Sequence, residues 1–273
     1  MSQKNNLLNI KDAMPIASDL YYFNYQRGEI ETLPVVLIHG AGGNHLYWPS
    51  EIRRLTGFRI FAPDLPGHGK SAGRGQQSIE SYAQVIVNWL DILGLQRAVF
   101  VGHSMGGAIA LELALHHFEH VLGLGLISTG ARMKVGQEIL NVAASSTTFH
   151  RAVEIVSSAS FSPLADPHLV ELAAARMAEM RPTVFYGDFL ACEQFDISDK
   201  LRQICQPTLV LCGAEDQLIP PQNSQFLAAQ IPNAQLEMIP RAGHMVMLEQ
   251  PQAVTNALSK FLGSVPYHAG ETA

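Results

Sequence analysis

The stretch Ala98-Val99-Phe100-Val101-Gly102-His103-Ser104-Met105-Gly106-Gly107 decides how this chain is read. Its first four residues are a continuous apolar run of the kind that forms a buried strand, and residues 108–116 continue as a helical pattern. A strand, a tight turn with a serine at its tip and then a helix make Gly-x-Ser-x-Gly a nucleophile elbow. The backbone at such a serine takes a sparsely populated conformation, which lifts the hydroxyl clear of the sheet. Residues two before and two after the serine then approach closely, so Gly102 and Gly106 carry no Cβ to collide. Gly107 is expected to let the helix sit tightly against the strand. The pattern alone is weak, because its residues are common and an ordinary glycine-rich turn would also match. The flanking strand and helix make Ser104 the candidate nucleophile.

The same alternation extends outward in both directions. Buried-strand runs occupy residues 35–39, 59–63, 98–101, 122–127, 208–212 and 235–239, each continuous as in central parallel strands covered on both faces. Helical patterns separate them at 47–55, 78–93, 105–117, 222–230 and 251–262, the second with Ser78 as a cap. Upstream, residues 13–17 and 20–26 suit a hairpin bridged by Ser18-Asp19, after a loose extension over 1–12. The reading is an α/β protein with a doubly wound, mostly parallel sheet. The alternation breaks between residues 131 and 201, which hold helical patterns near 135–144, 151–159, 167–180 and 183–194, punctuated by Pro163 and Pro182. This stretch is expected to be a helical cap, a lid inserted into a core of residues 1–130 and 202–273. Met177, Met180, Phe185, Tyr186 and Phe189 are candidates to line an apolar pocket beneath it, although each could equally join lid to core.

Composition narrows the function classes. The 273 residues are 47% hydrophobic, enough to fill one large α/β domain. The net charge is −6, with both signs scattered and no basic stripe, so nucleic acid is not an expected partner. Cys192, Cys205 and Cys212 lack CxxC spacing and read as small buried apolar residues in a reducing compartment. No run approaches the ~18 apolar residues of a membrane span, and residues 1–11 lack an apolar signal core, so a cytoplasmic location is expected. No His, Asp or Glu grouping has metal-ligand spacing, and no metal is expected. The loop Gly40-Ala41-Gly42-Gly43-Asn44-His45 fails the dinucleotide spacing. Gly69-Lys70-Ser71 looks like the end of a phosphate loop, but Asp64 stands where the first glycine is required.

A serine hydroxyl needs a base to take its proton, usually an imidazole oriented by a carboxylate. Among eleven histidines, His244 stands in Arg241-Ala242-Gly243-His244-Met245, a loop after the last strand run. That end of a strand puts it on the same rim as Ser104, with Gly243 freeing the backbone. Glu215 and Asp216 follow the strand run at 208–212, and spacing alone does not separate them. Asp196 and Asp199, at the exit of the helical stretch, are poorer candidates, and His39 and His103 read as structural hydrogen-bonders. Two N–H donors would stabilise a developing alkoxide: Met105, which starts a helix, and Ala41 in the glycine-rich loop after residue 39.

Taken together, these residues resemble the α/β-hydrolase superfamily over roughly residues 14–263. The likeness is carried by Leu37-Ile38-His39-Gly40, Asp64-Leu65-Pro66-Gly67-His68-Gly69-Lys70-Ser71, the elbow, Gly213-Ala214-Glu215-Asp216-Gln217 with Pro220, and Gly243-His244 with Glu249 and Pro251. The resemblance implies an α/β-hydrolase fold with Ser104 as nucleophile, Asp216 as acid, His244 as base and the Ala41 and Met105 amides as the oxyanion hole. It points to the small cofactor-free esterases and lactonases with a helical cap. Serine at the elbow, where dehalogenases and epoxide hydrolases carry aspartate, counts against those activities. Ser128-Thr129 occupies the alternative acid position. The expected activity is a serine carboxylesterase acting on small to medium apolar esters, with a small-molecule ester as its partner and no cofactor. Lactone or carbon–carbon bond hydrolysis on the same residues is the second reading, and a ligand-binding receptor with little turnover the third.

Overall fold

A computed structural model describes residues 16–27 and 32–267. The strands are β1 (Ile16–Ala17), β2 (Leu20–Gln26), β3 (Pro34–Ile38), β4 (Arg59–Pro63), β5 (Ala98–His103), β6 (Val121–Ile127), β7 (Thr208–Gly213) and β8 (Ala234–Ile239). They form one sheet in the order β1-β2-β4-β3-β5-β6-β7-β8. β1 and β2 pair antiparallel through a two-residue turn in which Ser18 and Asp19 both take positive φ, 54° and 62°. Most of the predicted first arm of this hairpin, and the extension before it, lie outside the described residues. β2 runs antiparallel to β4, and β3 to β8 are mutually parallel.

Alternation of side chains explains the layers. Val36, Ile38, Phe100, Leu124 and Leu126 meet one group of helices, α2 (Ile79–Leu93) and α3 (Met105–His116), through Ile86, Trp89, Ile109 and Leu113. Val35, Leu37, Val99, Val101 and Leu211 face the other way, against α1 (Ser50–Arg53) and α10 (Pro251–Leu262) through Ile52, Val254, Leu258 and Phe261. A strand buried on both faces must be apolar at every position, which is why these runs are continuous. From β3 the chain passes outward to β4 and then returns across β3 to β5. The order therefore reverses between β3 and β5, and a crevice opens at their carboxyl ends.

Three details depart from the sequence expectations. The pattern at 47–55 is not one helix: a 3-10 turn over His45–Tyr47 gives way to the short α1, because Pro49 lacks the N–H a continuing helix would need. β8 is the sheet edge rather than a buried strand, with residues 235–238 exposed. Cys205 is exposed, whereas Cys192 and Cys212 are buried.

Between β6 and β7 lie α4 (Gln137–Ala143), α5 (Phe149–Ser160), α6 (Pro167–Ala178) and α7 (Pro182–Gln194). They share an apolar cluster built on Ile139, Phe149, Val153, Val156, Met177, Phe185 and Phe189. An isolated bridge between Arg132 and Asp196 ties the two ends of the segment together. α8 (Pro221–Gln230) and α9 (Val246–Glu249) complete the described helices. Among the described residues, no helix is long and apolar enough to cross a membrane.

Candidate active site

Ser104 sits at the switch point, between β5 and α3, with φ 53° and ψ −117°. A side chain of L configuration is strained there, and the surroundings must hold it. A Cβ on Gly102 would strike the Gly106 carbonyl, and one on Gly106 would strike the Ile38 carbonyl. Gly107 does not face β5 as expected: its missing Cβ makes room for Thr129, whose Cγ2 would lie 2.6 Å away. Thr129 in turn donates its hydroxyl to the Ser104 carbonyl at 2.8 Å, while the Ser104 amide donates to the Ile127 carbonyl at 2.9 Å. Met105 is the first residue of α3, so its N–H has no acceptor within the helix. Across the crevice, the loop after β3 turns tightly, the Gly43 amide donating to the Gly40 carbonyl at 3.1 Å.

His244 stands in the loop between β8 and α9. Its Nδ1 lies 2.9 Å from Asp216 Oδ2, and both residues are buried. Asp216 Oδ1 accepts from the Leu218 and Ile219 amides at 3.0 and 2.8 Å, which fixes the carboxylate. A carboxylate held this way can only accept, so Nδ1 carries the ring proton and Nε2 is left as a base. Glu215 is turned elsewhere and accepts from the Ser162 hydroxyl. Asp196 and Asp199 are exposed near the end of the helical segment. Gly243 does not need glycine's freedom of φ; it needs the absence of a Cβ, which would lie 2.6 Å from the Ser162 amide nitrogen.

The His103 ring packs beside that of His244, centroids 4.7 Å apart, and its Nε2 donates to the His244 carbonyl at 3.0 Å. Burial and the neighbouring His244 hold the His103 pKa well below the usual histidine value, so this ring stays neutral. His39 is also structural. Its Nε2 accepts from the Leu65 amide at 3.0 Å and its Nδ1 donates to the Gly40 carbonyl at 2.8 Å. Burial pulls its pKa down to about 4.

A cavity of about 390 Å³ lies between the strand ends and helices α4 to α7, and both Ser104 and His244 line it, with Ala41. Of the five candidate pocket residues, Met177 and Phe189 line this cavity. Phe185 instead is wholly buried in the helical segment, edge-on to Phe149 at 5.2 Å, and Met180 and Tyr186 pack half-buried against the same cluster. Tyr47, Met133, Ile139 and Leu218 line the cavity and were not singled out from sequence. Among the described residues, no group of three His, Cys, Asp or Glu side chains is gathered to hold a metal ion.

Sequence reasoning also missed two carboxylates of the site's surroundings, Asp188 buried and Glu249 half-buried. Asp188 on α7 accepts from the Gly42 amide, the His68 ring and the Tyr82 hydroxyl. Glu249, noted only as part of a landmark, accepts from the Gly243 and Ser162 amides, both at 2.9 Å. Asp188 did leave a signal: it is the one acid in the apolar run Val184-Phe185-Tyr186-Gly187-Asp188-Phe189-Leu190-Ala191-Cys192.

A doubly wound sheet carrying a strained serine at its switch point, with a carboxylate-paired histidine on the same rim, defines a class of protein. The alpha/beta hydrolase fold family matches residues 34–251, and the chain belongs to it. It is 31% identical over 250 residues to the 2-hydroxymuconate semialdehyde hydrolase of Pseudomonas putida, covering 85% of this chain and 88% of the relative. It is 26% identical to the pimeloyl-[acyl-carrier protein] methyl ester esterase of Vibrio vulnificus (strain CMCP6), over 91% of this chain and the whole of that one. A solved thermophilic esterase from Thermogutta terrifontis superposes with a TM-score of 0.81 at 29% identity, covering 90% of this chain and 93% of that chain.

Proposed function

We propose that the protein is a serine carboxylesterase for small to medium apolar esters. The reading is carried by one observation: Ser104 and His244 line the same cavity, and His244 is paired with a fixed Asp216. Ser104 Oγ attacks the ester carbonyl carbon while His244 Nε2 takes its proton. The carbonyl oxygen becomes an alkoxide and is met by the Ala41 and Met105 N–H groups; one such donor is worth ~3 kcal/mol. The alkoxide collapses, the C–O bond to the alcohol breaks, and His244 returns the proton to the departing oxygen. Water, deprotonated by the same nitrogen, then attacks the acyl-enzyme and releases the acid and the free serine. Residues 131–201 act as a lid over a core of 1–130 and 202–273. The cavity volume of about 390 Å³ lies toward the lower end of the about 300–1,000 Å³ of small-molecule sites, which favours short or medium acyl chains. Three cysteines left free suit a reducing, cytoplasmic setting.

The test is turnover of a p-nitrophenyl ester series by the wild type and by Ser104→Ala. Loss in the variant, with its melting transition retained, is expected; retained turnover overturns the assignment. A second reading, hydrolysis of a lactone or a carbon–carbon bond, is favoured by the likeness to the Pseudomonas putida semialdehyde hydrolase. A panel of esters, lactones and diketones separates the two. Failure of a fluorophosphonate to label Ser104 would point instead to a binding protein.

A further inference from the structure

Asp188 is wholly buried on α7, yet three parts of the core converge on it. Oδ2 accepts from the Gly42 amide at 2.9 Å and from His68 Nε2 at 2.7 Å, and Oδ1 accepts from the Tyr82 hydroxyl at 2.5 Å. The other His68 nitrogen, Nδ1, faces the Pro66 carbonyl at 3.0 Å. A carbonyl can only accept, so Nδ1 bears a proton, and so does Nε2 against the carboxylate. His68 is therefore an imidazolium. Burial alone would lower its pKa, but the Asp188 charge and hydrogen bond, with the Pro66 carbonyl, raise it.

The acceptor for Gly42 is thus held from two further sides, by a cation and a phenol. Gly42 has φ +64°, and a Cβ there would lie 3.1 Å from Phe185, which is three residues before Asp188 on the same helix. α7 therefore backs the loop after β3 with an aromatic ring and a carboxylate together. A buried ion pair is a poor way to gain stability compared with apolar packing, so its presence beside this loop calls for a reason in geometry.

The structure assigns Asp188 as a positioning residue: by accepting the Gly42 N–H it fixes the peptide that follows Ala41, and so aims the Ala41 N–H into the cavity. This rests on the reading that the Ala41 amide meets the alkoxide. It also makes the oxyanion loop depend on the helical segment, because α7 belongs to that segment. An amide donor that is free to swing loses its advantage, since preorganisation is what makes such donors effective.

Asp188→Asn keeps the shape but cannot serve all three donors, and it leaves His68 without a counter-charge. The experiment compares kcat and KM for a p-nitrophenyl ester with the affinity of a trifluoromethyl ketone, which adds Ser104 to form a tetrahedral alkoxide. In Asp188→Asn, kcat is expected to fall about 10- to 100-fold, ketone affinity to fall in parallel, and KM to stay within about threefold. Tyr82→Phe removes one donor without exposing a charge, and should show the same pattern at about threefold. A folded Asp188→Asn with kcat and ketone affinity within about twofold of the wild type overturns the proposal. If Asp188→Asn does not fold, Tyr82→Phe decides: a lowered melting temperature with unchanged kcat and ketone affinity also overturns it. A wild type that neither turns over esters nor forms the ketone adduct at Ser104 defeats the esterase reading itself, a different result from either.

Discussion

The two loops flanking Ser104 are both fastened to the helical segment by carboxylates, one wholly buried and one half-buried, and by opposite electrostatic means. On the β3 side Asp188 faces the His68 imidazolium and takes the Gly42 amide as well. On the β8 side Glu249 takes two main-chain amides, of Gly243 and of Ser162 in the turn after α5, while Glu215 takes the Ser162 hydroxyl. A further bond, from the Met245 amide to the Ser160 carbonyl at 2.9 Å, reinforces that second attachment. Asp188 has a cation opposite it, whereas Glu249 meets only main-chain amides; burial, with Asp216 and Glu215 nearby, raises the Glu249 pKa even though the two amides oppose it. A carboxylate opposite a cation is costly to neutralise because the cation is stranded; one opposite amides is not.

The comparison breaks most sharply at the acid. Asp216 orients the His244 ring, and Glu215 only braces Ser162, so Asp216→Asn should lower ester kcat by about 10³- to 10⁴-fold. Glu215→Gln should stay within about tenfold, since the Ser162 hydroxyl retains an amide oxygen to bond. Steady-state kinetics on the two single variants settle this. A larger loss at Glu215 would move the acid by one residue.

The next effect concerns pH. The rings of His39 and His68 lie 4.9 Å apart, one neutral and the other charged. His39 titrates at about 4 in the native state and near the usual ~6.5 when unfolded. Between those values the unfolded chain binds more protons, so stability falls as the pH drops through this window, by roughly 3 kcal/mol from this one buried group. His68 has the opposite sign: its contribution is present below the usual histidine value and is lost as pH rises through its raised native pKa. Urea midpoints from pH 7 to 4 should therefore decline less steeply in His39→Gln than in the wild type. Parallel declines would refute a neutral His39.

A smaller effect tests the stranded-cation argument itself. Glu249→Gln keeps one good acceptor for two amides and should cost about 1–2 kcal/mol of stability. Asp188→Asn should cost more, because His68 is left charged and unpaired. Denaturant unfolding of the two variants at pH 7 gives the order directly, and equal losses would show that the cation is not stranded.

How much of this was legible in the chain follows from the range of the forces involved. Strands 35–39, 98–101 and 208–212 were readable because burial on both faces demands apolar residues at every position. The elbow was readable because the contacts of Gly102 and Gly106 forbid any Cβ. Glu215 and Asp216 were inseparable, because adjacent loop residues differ only in which way they turn, and the Leu218 and Ile219 amides that fix Asp216 lie in the same loop. Asp188 was missed for a different reason. Its partners are 146, 120 and 106 residues away, and no local spacing encodes such a meeting. Phe185 was open between lining a pocket and joining lid to core, because the apolar pattern over 183–194 does not tell a cavity side from a buried side.

That last point gives the mildest prediction, in which the helical segment is tested as a wall rather than as a fastening. Met177 on α6 lines the cavity, while Met180, one turn later, packs half-buried against the cluster of Phe185 and Tyr186. Shortening Met177 to alanine opens space beside Ser104, so longer acyl chains gain about 3- to 10-fold in relative kcat/KM over acetate, the value of one or two methylenes in an apolar pocket. Met180→Ala removes packing on the far side and should leave the acyl-chain preference unchanged, with its cost appearing in stability. Kinetics on p-nitrophenyl acetate, butyrate and octanoate separate the two sites. If Met180→Ala reshapes the preference as strongly as Met177→Ala, α6 moves as a unit when its packing is loosened, and the wall and the fastening are one structure.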